Sequence, residues 1–362
     1  MHSSTAFKRT IPKGIGTLTK SIHDSPETPT ARLILPAGAS EEEWLAVRRT
    51  GIGGSDVAAI LGLDKRRGPR KVFEEKHGYR EPENTYMRAG KYLEPVIAQW
   101  FEDETGLKTV NMPGTFAHIE HDWARANIDR GVLDDAGKVV APLECKNKSE
   151  YLKDEWEDTE EAPDGPALQA HWYAGVCGWS HSYVAALVGG NRLRVFWQER
   201  NEELIAELFK KCGEWFERHV IEGFPPPVDG LESTKELLAA LWEARPEAVA
   251  EIPMDKAMSL RDQRADLKAQ IKALESQLTA VENEMRDTAK DAEIVRVGKS
   301  TAWTWKANGN FAPSRFQAEQ PELAASYMRT VQVVDTDRLK TEQPEIYRQY
   351  RARCLFVPKK GL

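Results

Sequence analysis

The chain has little cysteine, no long apolar run and no excess of positive charge. Its four cysteines, Cys145, Cys177, Cys212 and Cys354, are far apart and form no C-x-x-C pair. That spacing predicts reduced thiols in a cytoplasmic protein and argues against a structural zinc site. No apolar run approaches the length of a membrane span, and the N-terminus has no apolar signal core. We therefore expect a globular cytoplasmic protein with no membrane partner.

The net charge of -7 argues against a non-specific coat for nucleic acid, which should be basic. An enzyme acting on nucleic acid can still be acidic overall, provided that metal ions and a local basic groove neutralise the phosphates. The 362 residues are enough for one large domain or two ordinary ones.

Three side chains combine into a pattern typical of metal-dependent chemistry. Asp129 ends a predicted strand, and the next strand carries Glu144 and Lys146 two positions apart. Alternate residues on a strand share a face, so Glu144 and Lys146 should point the same way while Cys145 points into the layer that covers the sheet. Two carboxylates suit a hard divalent cation, and an ammonium beside them suits an attacking water or a phosphate.

A second candidate site lies near the N-terminus. Ser40 and Glu43 form a capping-box pattern that begins a helix ending at Arg48 and Arg49. The following stretch, 51–56, predicts a glycine turn into another helix. Free backbone N–H groups and the Ser55 hydroxyl at such a turn suit a phosphate, and a plain turn with Ser55 as N-cap is the alternative.

The sequence divides into four expected regions. The predicted boundaries are 1–38 for a flexible arm with an edge strand at 32–35, 39–230 for an α/β domain ending at a proline run, 231–293 for a helical or coiled-coil segment, and 294–362 for a small α+β appendage.

Two features distinguish the C-terminal third. Apolar residues form a heptad seam at Leu260, Leu267, Ile271, Leu274, Leu278, Val281 and Met285. The seam predicts either an intermolecular coiled coil or a helix packed on its own appendage. After a predicted β-hairpin at 294–306, the stretch 315–323 is echoed at 338–346, and each copy is expected to be one short helix followed by a strand-like run. Two copies of so small a unit indicate a binding appendage.

The order of these motifs from Trp44 to the proline run resembles the YqaJ-like viral recombinase family, which is phage lambda exonuclease-like and belongs to the PD-(D/E)xK nuclease superfamily. The resemblance implies an α/β, restriction-endonuclease-like core with a central mixed sheet flanked by helices. It also implies that Arg48 and Ser55 hold a DNA 5′ phosphate, and that the stretch 89–94 carries a metal-binding glutamate, Glu94.

The same resemblance implies roles for the residues of the strand motif. Asp129 and Glu144 would bind metal together with the backbone carbonyl of Cys145, and Lys146 and Gln169 would place the nucleophile. His171 stands where the family often has a second glutamine, Arg130 where glycine is common, and Ile128 where the signature has proline. No role is carried to His171, and neither of the other two departures removes a ligand.

The function implied is a Mg²⁺-dependent exonuclease, with two ions and with Mn²⁺ as a substitute. It would degrade duplex DNA from its ends, 5′ to 3′, and leave 3′ tails for a single-strand annealing recombinase. The resemblance also implies a homo-oligomer encoded by a phage or prophage and acting in the bacterial cytoplasm. Two alternatives remain, a same-fold endonuclease or single-strand exonuclease, and a catalytically silent DNA-binding or scaffold protein.

Overall fold

The computed structural model describes residues 28–157, 159–242, 244–245, 247–329, 332–351, 355 and 357. The chain divides into two compact units at residues 243 and 244, and each is described by itself. The helix Glu232–Leu241, which the sequence assigned to the coiled-coil segment, belongs to the first unit and buries Leu237 there. The other expected boundaries remain predictions.

The first unit contains both strands and helices. Its strands are β1 (Ala31–Pro36), β2 (Ile52–Gly53), β3 (Lys108–Val110), β4 (Gly114–His118), β5 (Ala124–Asn127), β6 (Arg130–Leu133), β7 (Val139–Lys148), β8 (His181–Val188) and β9 (Arg192–Glu199). Its helices are α1 (Glu41–Arg49), α2 (Gly54–Ile60), α3 (Pro69–Lys76), α4 (Thr85–Thr105), α5 (Asp164–Cys177), α6 (Glu202–Trp215) and α7 (Glu232–Leu241).

The strands form two sheets. One has the order β1-β4-β5-β2, and the other has the order β3-β6-β7-β8-β9. Pairing is parallel between β2 and β5 and between β7 and β8, and antiparallel elsewhere in both sheets. The expected α/β class with mixed sheets flanked by helices is confirmed, although two sheets replace the single one.

The last part of the expected arm at 1–38 contains β1, which pairs with β4 along its length. Leu33 packs against the hydrophobic core, and this contact stabilises the strand on the sheet. The expected edge strand at 32–35 is therefore present, one residue longer at each end. Residues 1–27 of the expected arm lie outside the described residues.

The chain passes from one sheet to the other at Ile128 and Asp129. The sequence predicted one strand running through Asp129, but β5 ends at Asn127 and β6 begins at Arg130. Strand β6 forms an antiparallel hairpin with β7. The Ile128 side chain is buried and anchors the crossing. Asp129 thus lies at the junction of the sheets.

Helix α5 is buried along almost its whole length because it packs against both sheets, on β4 and β5 of one and on β7 and β8 of the other. Helix α4 covers the opposite face of the five-stranded sheet, where Ile97 and Phe101 pack with Leu143. Cys145 packs into that same cluster, as its strand position predicted. Glu144 and Lys146 consequently face α5.

Two predicted helix starts need correction. The sequence predicts a helix from Tyr92 to Thr105 with Glu94 in its first turn, but helix α4 begins at Thr85, capped by the Asn84 side chain, and Glu94 lies in mid-helix. Helix α2 has Gly53 as its N-cap, and the Asp56 carboxylate accepts from the Gly53 N–H at 3.1 Å. The N-cap reading of Ser55 is therefore wrong. The capping box of Ser40 and Glu43 is present on α1.

The second unit begins with a long helix, α8 (Met254–Ala289), followed by the predicted hairpin of β10 (Ile294–Val297) and β11 (Ser300–Thr304). No helix in the described part of either unit is long and apolar enough to cross a membrane.

Each copy of the repeat is a pair of short helices, α9 (Pro313–Glu319) with α10 (Pro321–Ser326), and α11 (Thr336–Glu342) with α12 (Pro344–Gln349). The single helix expected for each copy is wrong because a residue before proline avoids helical geometry. Gln320 and Gln343 adopt nearly the same backbone angles, with φ of -134° and -135°. The described residues 332–335 between the copies contain no strand.

Candidate active site

Four polar side chains form a chain of hydrogen bonds between β7 and α5. The Lys146 Nζ lies 2.5 Å from the Glu144 Oε1 and donates to the Gln169 Oε1 at 2.9 Å. The Gln169 Nε2 donates to the Tyr173 hydroxyl, also at 2.9 Å. Side chains two apart on β7 share a face, and so do side chains four apart on α5. These two spacings place Glu144, Lys146, Gln169 and Tyr173 in one cluster.

Asp129 joins this cluster from the junction between the sheets. Its Oδ2 accepts from the Cys145 N–H at 2.8 Å, which holds the carboxylate beside β7. Burial, and then the nearby Glu144 carboxylate, raise the pKa of Asp129 well above its ordinary value, although Lys146 and the Cys145 N–H act in the opposite direction. Burial also raises the pKa of Glu144, and the Lys146 ammonium offsets part of that effect.

Glu94 approaches the cluster from α4 but is paired with Arg130, whose Nη1 donates to the Glu94 Oε1. The same Nη1 donates to the Asp129 carbonyl at 2.6 Å. Arg130 therefore ties the middle of α4 to the sheet junction. The sequence placed Glu94 at the site but gave no sign of this partner.

The cluster offers few side-chain donors for a metal ion. Among the described residues no group of three or more His, Cys, Asp or Glu side chains is arranged to hold a metal. Two carboxylates do converge, however, and the buried Glu144 Oε2 has no hydrogen-bond partner among the described residues. Two buried carboxylates that oppose each other's ionisation suit one hard divalent cation. Glu94 could join them through its second oxygen, because Arg130 donates to the Oε1.

A cleft of about 140 Å³ opens beside the cluster. Its lining includes Asp129, Gln169 and Tyr173 on one side and Arg48 and Ser55 on the other. The structure therefore brings together the phosphate-site candidates and part of the strand motif, which lie more than 70 residues apart in the sequence. Arg48 lies over the Trp44 ring, 5.2 Å from its centroid, and its Nη2 is 3.4 Å from the Ser55 Oγ.

Two glycines allow the walls of this cleft to approach. A Cβ on Gly54 would lie 2.6 Å from the Tyr173 ring and 3.0 Å from the Gln169 side chain. A Cβ on Gly51 would lie 2.5 Å from the Arg125 side chain. Any larger residue at either position would push the phosphate-site turn away from α5 or β5.

A buried ionic cluster supports Arg48 from below. The fully buried Asp56 accepts from the Lys76 Nζ at 2.5 Å and from the Arg67 Nη2 at 2.7 Å, and the Arg48 Nη2 lies 3.4 Å from it. Burial opposes the ionisation of Asp56, but Lys76, Arg67 and Arg48 outweigh it and hold its pKa well below the ordinary value. Asp56 is thus a buried anion within a ring of cations.

Sequence reasoning missed Tyr173, Arg125 and Asp56. Tyr173 follows Gln169 by four residues on a helix, and that spacing could have revealed it. Arg125 lines the cleft from β5, with its Nε buried and without a hydrogen-bond partner among the described residues. Asp56 was visible only as an acid directly before the apolar run of α2.

The raised pKa of Asp129 predicts a pH-dependent effect on stability. Because the folded-state pKa exceeds the unfolded one, the metal-free chain should lose stability as pH rises from the unfolded value through the folded one. Asp129→Asn keeps an oxygen for the Cys145 N–H and removes this loss. We expect the variant to melt a few degrees above the parent at pH 8 and equally near pH 4, in chelator, by differential scanning fluorimetry. A variant that melts lower at pH 8 would contradict the electrostatic argument.

Comparison with known proteins identifies the family. The model of the YqaJ-like viral recombinase domain matches residues 43–180. The Bacillus subtilis (strain 168) protein recorded as "Uncharacterized protein YqaJ" is 33% identical over 331 residues, which span 88% of this chain and 92% of that protein. The chain belongs to the YqaJ-like viral recombinase family, as the order of its motifs predicted.

Solved structures give weaker similarities. An alkaline exonuclease, LHK-Exo from Laribacter hongkongensis, is 18% identical with a TM-score of 0.42, over 56% of this chain and 100% of that one. A phage-related exonuclease from Haemophilus somnus 129PT is 12% identical with a TM-score of 0.33, over 48% and 96% of the two chains. At these TM-scores the similarities establish nothing further about this chain.

Proposed function

We propose that this protein is a metal-dependent deoxyribonuclease that degrades linear duplex DNA from its ends. The observation that carries the proposal is the cleft that Asp129 and Gln169 line together with Arg48 and Ser55. It places one carboxylate of the cluster, and the glutamine that accepts from Lys146, in the same cleft as a guanidinium and a hydroxyl that suit a phosphate. Membership of a viral recombinase family agrees with a nuclease.

Asp129 and Glu144 would hold Mg²⁺, or Mn²⁺ in its place, together with the Cys145 carbonyl. When bound, the cation supplies charge neutralisation for the attacking and leaving oxygens and lowers the pKa of water. A second ion would add Glu94 as a ligand, through the carboxylate oxygen that Arg130 does not contact.

The chain's own residues would position the nucleophile. Lys146 is fixed by Glu144 and Gln169, which use two of the three N–H donors of its ammonium. The third can donate to a water or to the scissile phosphate. Burial opposes the charge of Lys146, but Glu144 and Asp129 outweigh it and raise its pKa, so the ammonium stays protonated at neutral pH. Gln169 is itself held by Lys146 and Tyr173 and would orient the water.

Arg48 and Ser55 would bind the terminal 5′ phosphate, which would make the enzyme begin at an end and proceed 5′ to 3′. The product would be duplex DNA with 3′ tails, the substrate of a single-strand annealing recombinase. The test is a time course with Mg²⁺ on linear duplex DNA carrying 5′ phosphate or 5′ hydroxyl, beside a closed circle and single strands. Cleavage of the circle would instead identify an endonuclease, and degradation of single strands alone a single-strand exonuclease. DNA binding without Mg²⁺-dependent turnover would leave a silent binding protein.

Arg48→Ala should weaken degradation of 5′-phosphorylated ends by about tenfold to a hundredfold, because a charge-assisted guanidinium–phosphate contact contributes about 1.5–3 kcal/mol. Degradation of 5′-hydroxyl ends should fall much less. The measurement is the initial rate on the two matched duplexes. Arg49→Ala, one residue later on the exposed side of α1, is the control and should behave as the parent. An equal loss on both ends would mean that Arg48 serves the fold or another phosphate.

A further inference from the structure

Helix α8 has an apolar stripe that the described structure leaves in solvent. It is a single helix of 36 residues, Met254–Ala289. The side chains of its heptad seam are each more than half exposed at Leu260, Leu267, Ile271, Leu274, Leu278 and Val281. An isolated helix of this kind would keep a continuous stripe of leucine, isoleucine and valine in water, so the stripe requires a partner.

The charges beside the seam follow a pattern along the helix. If Ile271 is assigned to heptad position a, Leu267, Leu274 and Val281 occupy position d. The e positions, which flank d, are then Arg261, Lys268, Glu275 and Glu282. The flank is therefore positive in the first half of the helix and negative in the second.

We propose that this stripe binds α8 of a second copy of the chain, in antiparallel orientation and in one register. An antiparallel pair places position a opposite d and e opposite e. In the proposed register Ile271 packs on the partner's Leu274, and Leu278 packs on the partner's Leu267. Lys268 then lies opposite the partner's Glu275, and Arg261 opposite the partner's Glu282.

The twofold axis makes every such contact occur twice, as in any isologous dimer. Each helix thus supplies both signs of charge at complementary places, and no other protein is needed to explain the pattern. A helix of 36 residues spans about 54 Å, enough for a long apolar seam. The proposal concerns assembly and does not depend on the proposed nuclease activity.

Other pairings of two copies place like charges together. In a parallel pair Arg264, which occupies an a position, would face the partner's Arg264 in the seam, and Lys256 would face the partner's Arg261. An antiparallel pair shifted by one heptad brings either Lys268 or Glu275 opposite its own copy. Like charges across such an interface are destabilising, so the sequence selects one orientation and one register.

The first test reverses the flanking charges in the full-length chain. Lys268→Glu should turn two attractive pairs into two repulsive ones and raise the dissociation constant about tenfold or more. Lys268→Glu with Glu275→Lys restores both pairs and should restore association. Lys272→Glu makes the same charge change on the outer face and should leave association unchanged. Sedimentation equilibrium over a range of concentrations measures all four chains.

The second test fixes the orientation. In the proposed register a cysteine at 267 meets a cysteine at 278 of the partner, whereas each lies about 16 Å from its own copy. Mixed Leu267→Cys and Leu278→Cys chains should therefore form a disulfide-linked dimer on mild oxidation, and neither chain alone should do so beyond the unsubstituted background. Cross-linking of either chain with itself would identify a parallel pair and overturn the proposal. A monomeric full-length chain, or one whose association ignores Lys268→Glu and the double exchange, would also overturn it, because another surface or partner would then cover the stripe.

Discussion

Asp129→Asn and Glu144→Gln should each reduce Mg²⁺-dependent cleavage of linear duplex DNA by about a thousandfold or more, since residues that act as one catalytic unit lose most of their effect together. Each substitution keeps the size and one oxygen of the side chain and removes one carboxylate from the pair. The Cys145 N–H can still donate to the amide oxygen at 129, and the Lys146 ammonium can still donate to the one at 144. The loss would therefore fall on cation binding and not on the fold.

Three measurements make this expectation specific. Asp129→Asn should melt at or above the parental temperature in chelator, because a buried carboxylate with a raised pKa has been removed, and Glu144→Gln should melt below it, because the Lys146 ammonium loses its buried anion. They should also lose the rise in melting temperature that Mg²⁺ or Mn²⁺ gives to the parent, a rise that mass action requires of any ligand of the folded state. The double variant should be no less active than either single one.

Asp135→Asn is the matched control, because Asp135 is exposed at the tip of the hairpin between β6 and β7. It should cleave and melt as the parent does. Near-normal cleavage by either Asp129→Asn or Glu144→Gln would show that the pair is not the cation site. Full loss of cleavage with an unchanged Mg²⁺ effect on melting would separate cation binding from chemistry.

The alternation of side chains along a strand was enough to predict the faces to which Glu144, Cys145 and Lys146 point. The twofold alternation of a strand requires Glu144 and Lys146 to share a face, and the structure has their ion pair on one side and the partly buried Cys145 on the other. The α/β class and the family followed from the order of such motifs. These predictions succeeded because they depend on local geometry that the sequence states directly.

The sequence could not show where the chain changes sheets. Residues 124–133 have strand character throughout, and nothing local marks Ile128 and Asp129 as the crossing. The sequence also could not predict that Glu94 pairs with Arg130 and Arg48 with Asp56, because each pair forms only when separate elements pack together. By contrast, the break within each repeat copy was predictable from Pro321 and Pro344.

Asp56→Asn should have the largest effect on stability of any substitution at the phosphate side of the cleft. It removes the one anion that Lys76 and Arg48 share, and leaves the Lys76 ammonium, with a side chain only 2% exposed, among cations. Breaking a buried ion pair from one side destabilises a fold by about 3–5 kcal/mol. For a unit of this size that lowers the melting temperature by about 10 °C.

The pH profile of this loss has a definite sign. The folded-state pKa of Asp56 lies below its unfolded value, so its stabilisation is fully present above the unfolded pKa and is lost as pH falls through the folded one. The difference between parent and Asp56→Asn should accordingly be greatest near neutral pH and shrink in acid. Urea unfolding from pH 3 to pH 8 measures it.

Removing the Lys76 ammonium as well should recover part of the stability, because replacing both partners of a buried ion pair often changes the free energy of unfolding little. Asp56→Asn with Lys76→Met should therefore unfold at a higher urea concentration than Asp56→Asn alone, while Arg67 keeps its contact with Glu75. If the double variant were no more stable than the single one, the lost energy would lie in packing and not in an unpaired charge. If Asp56→Asn itself unfolded like the parent, the cluster beneath Arg48 would contribute no net stability.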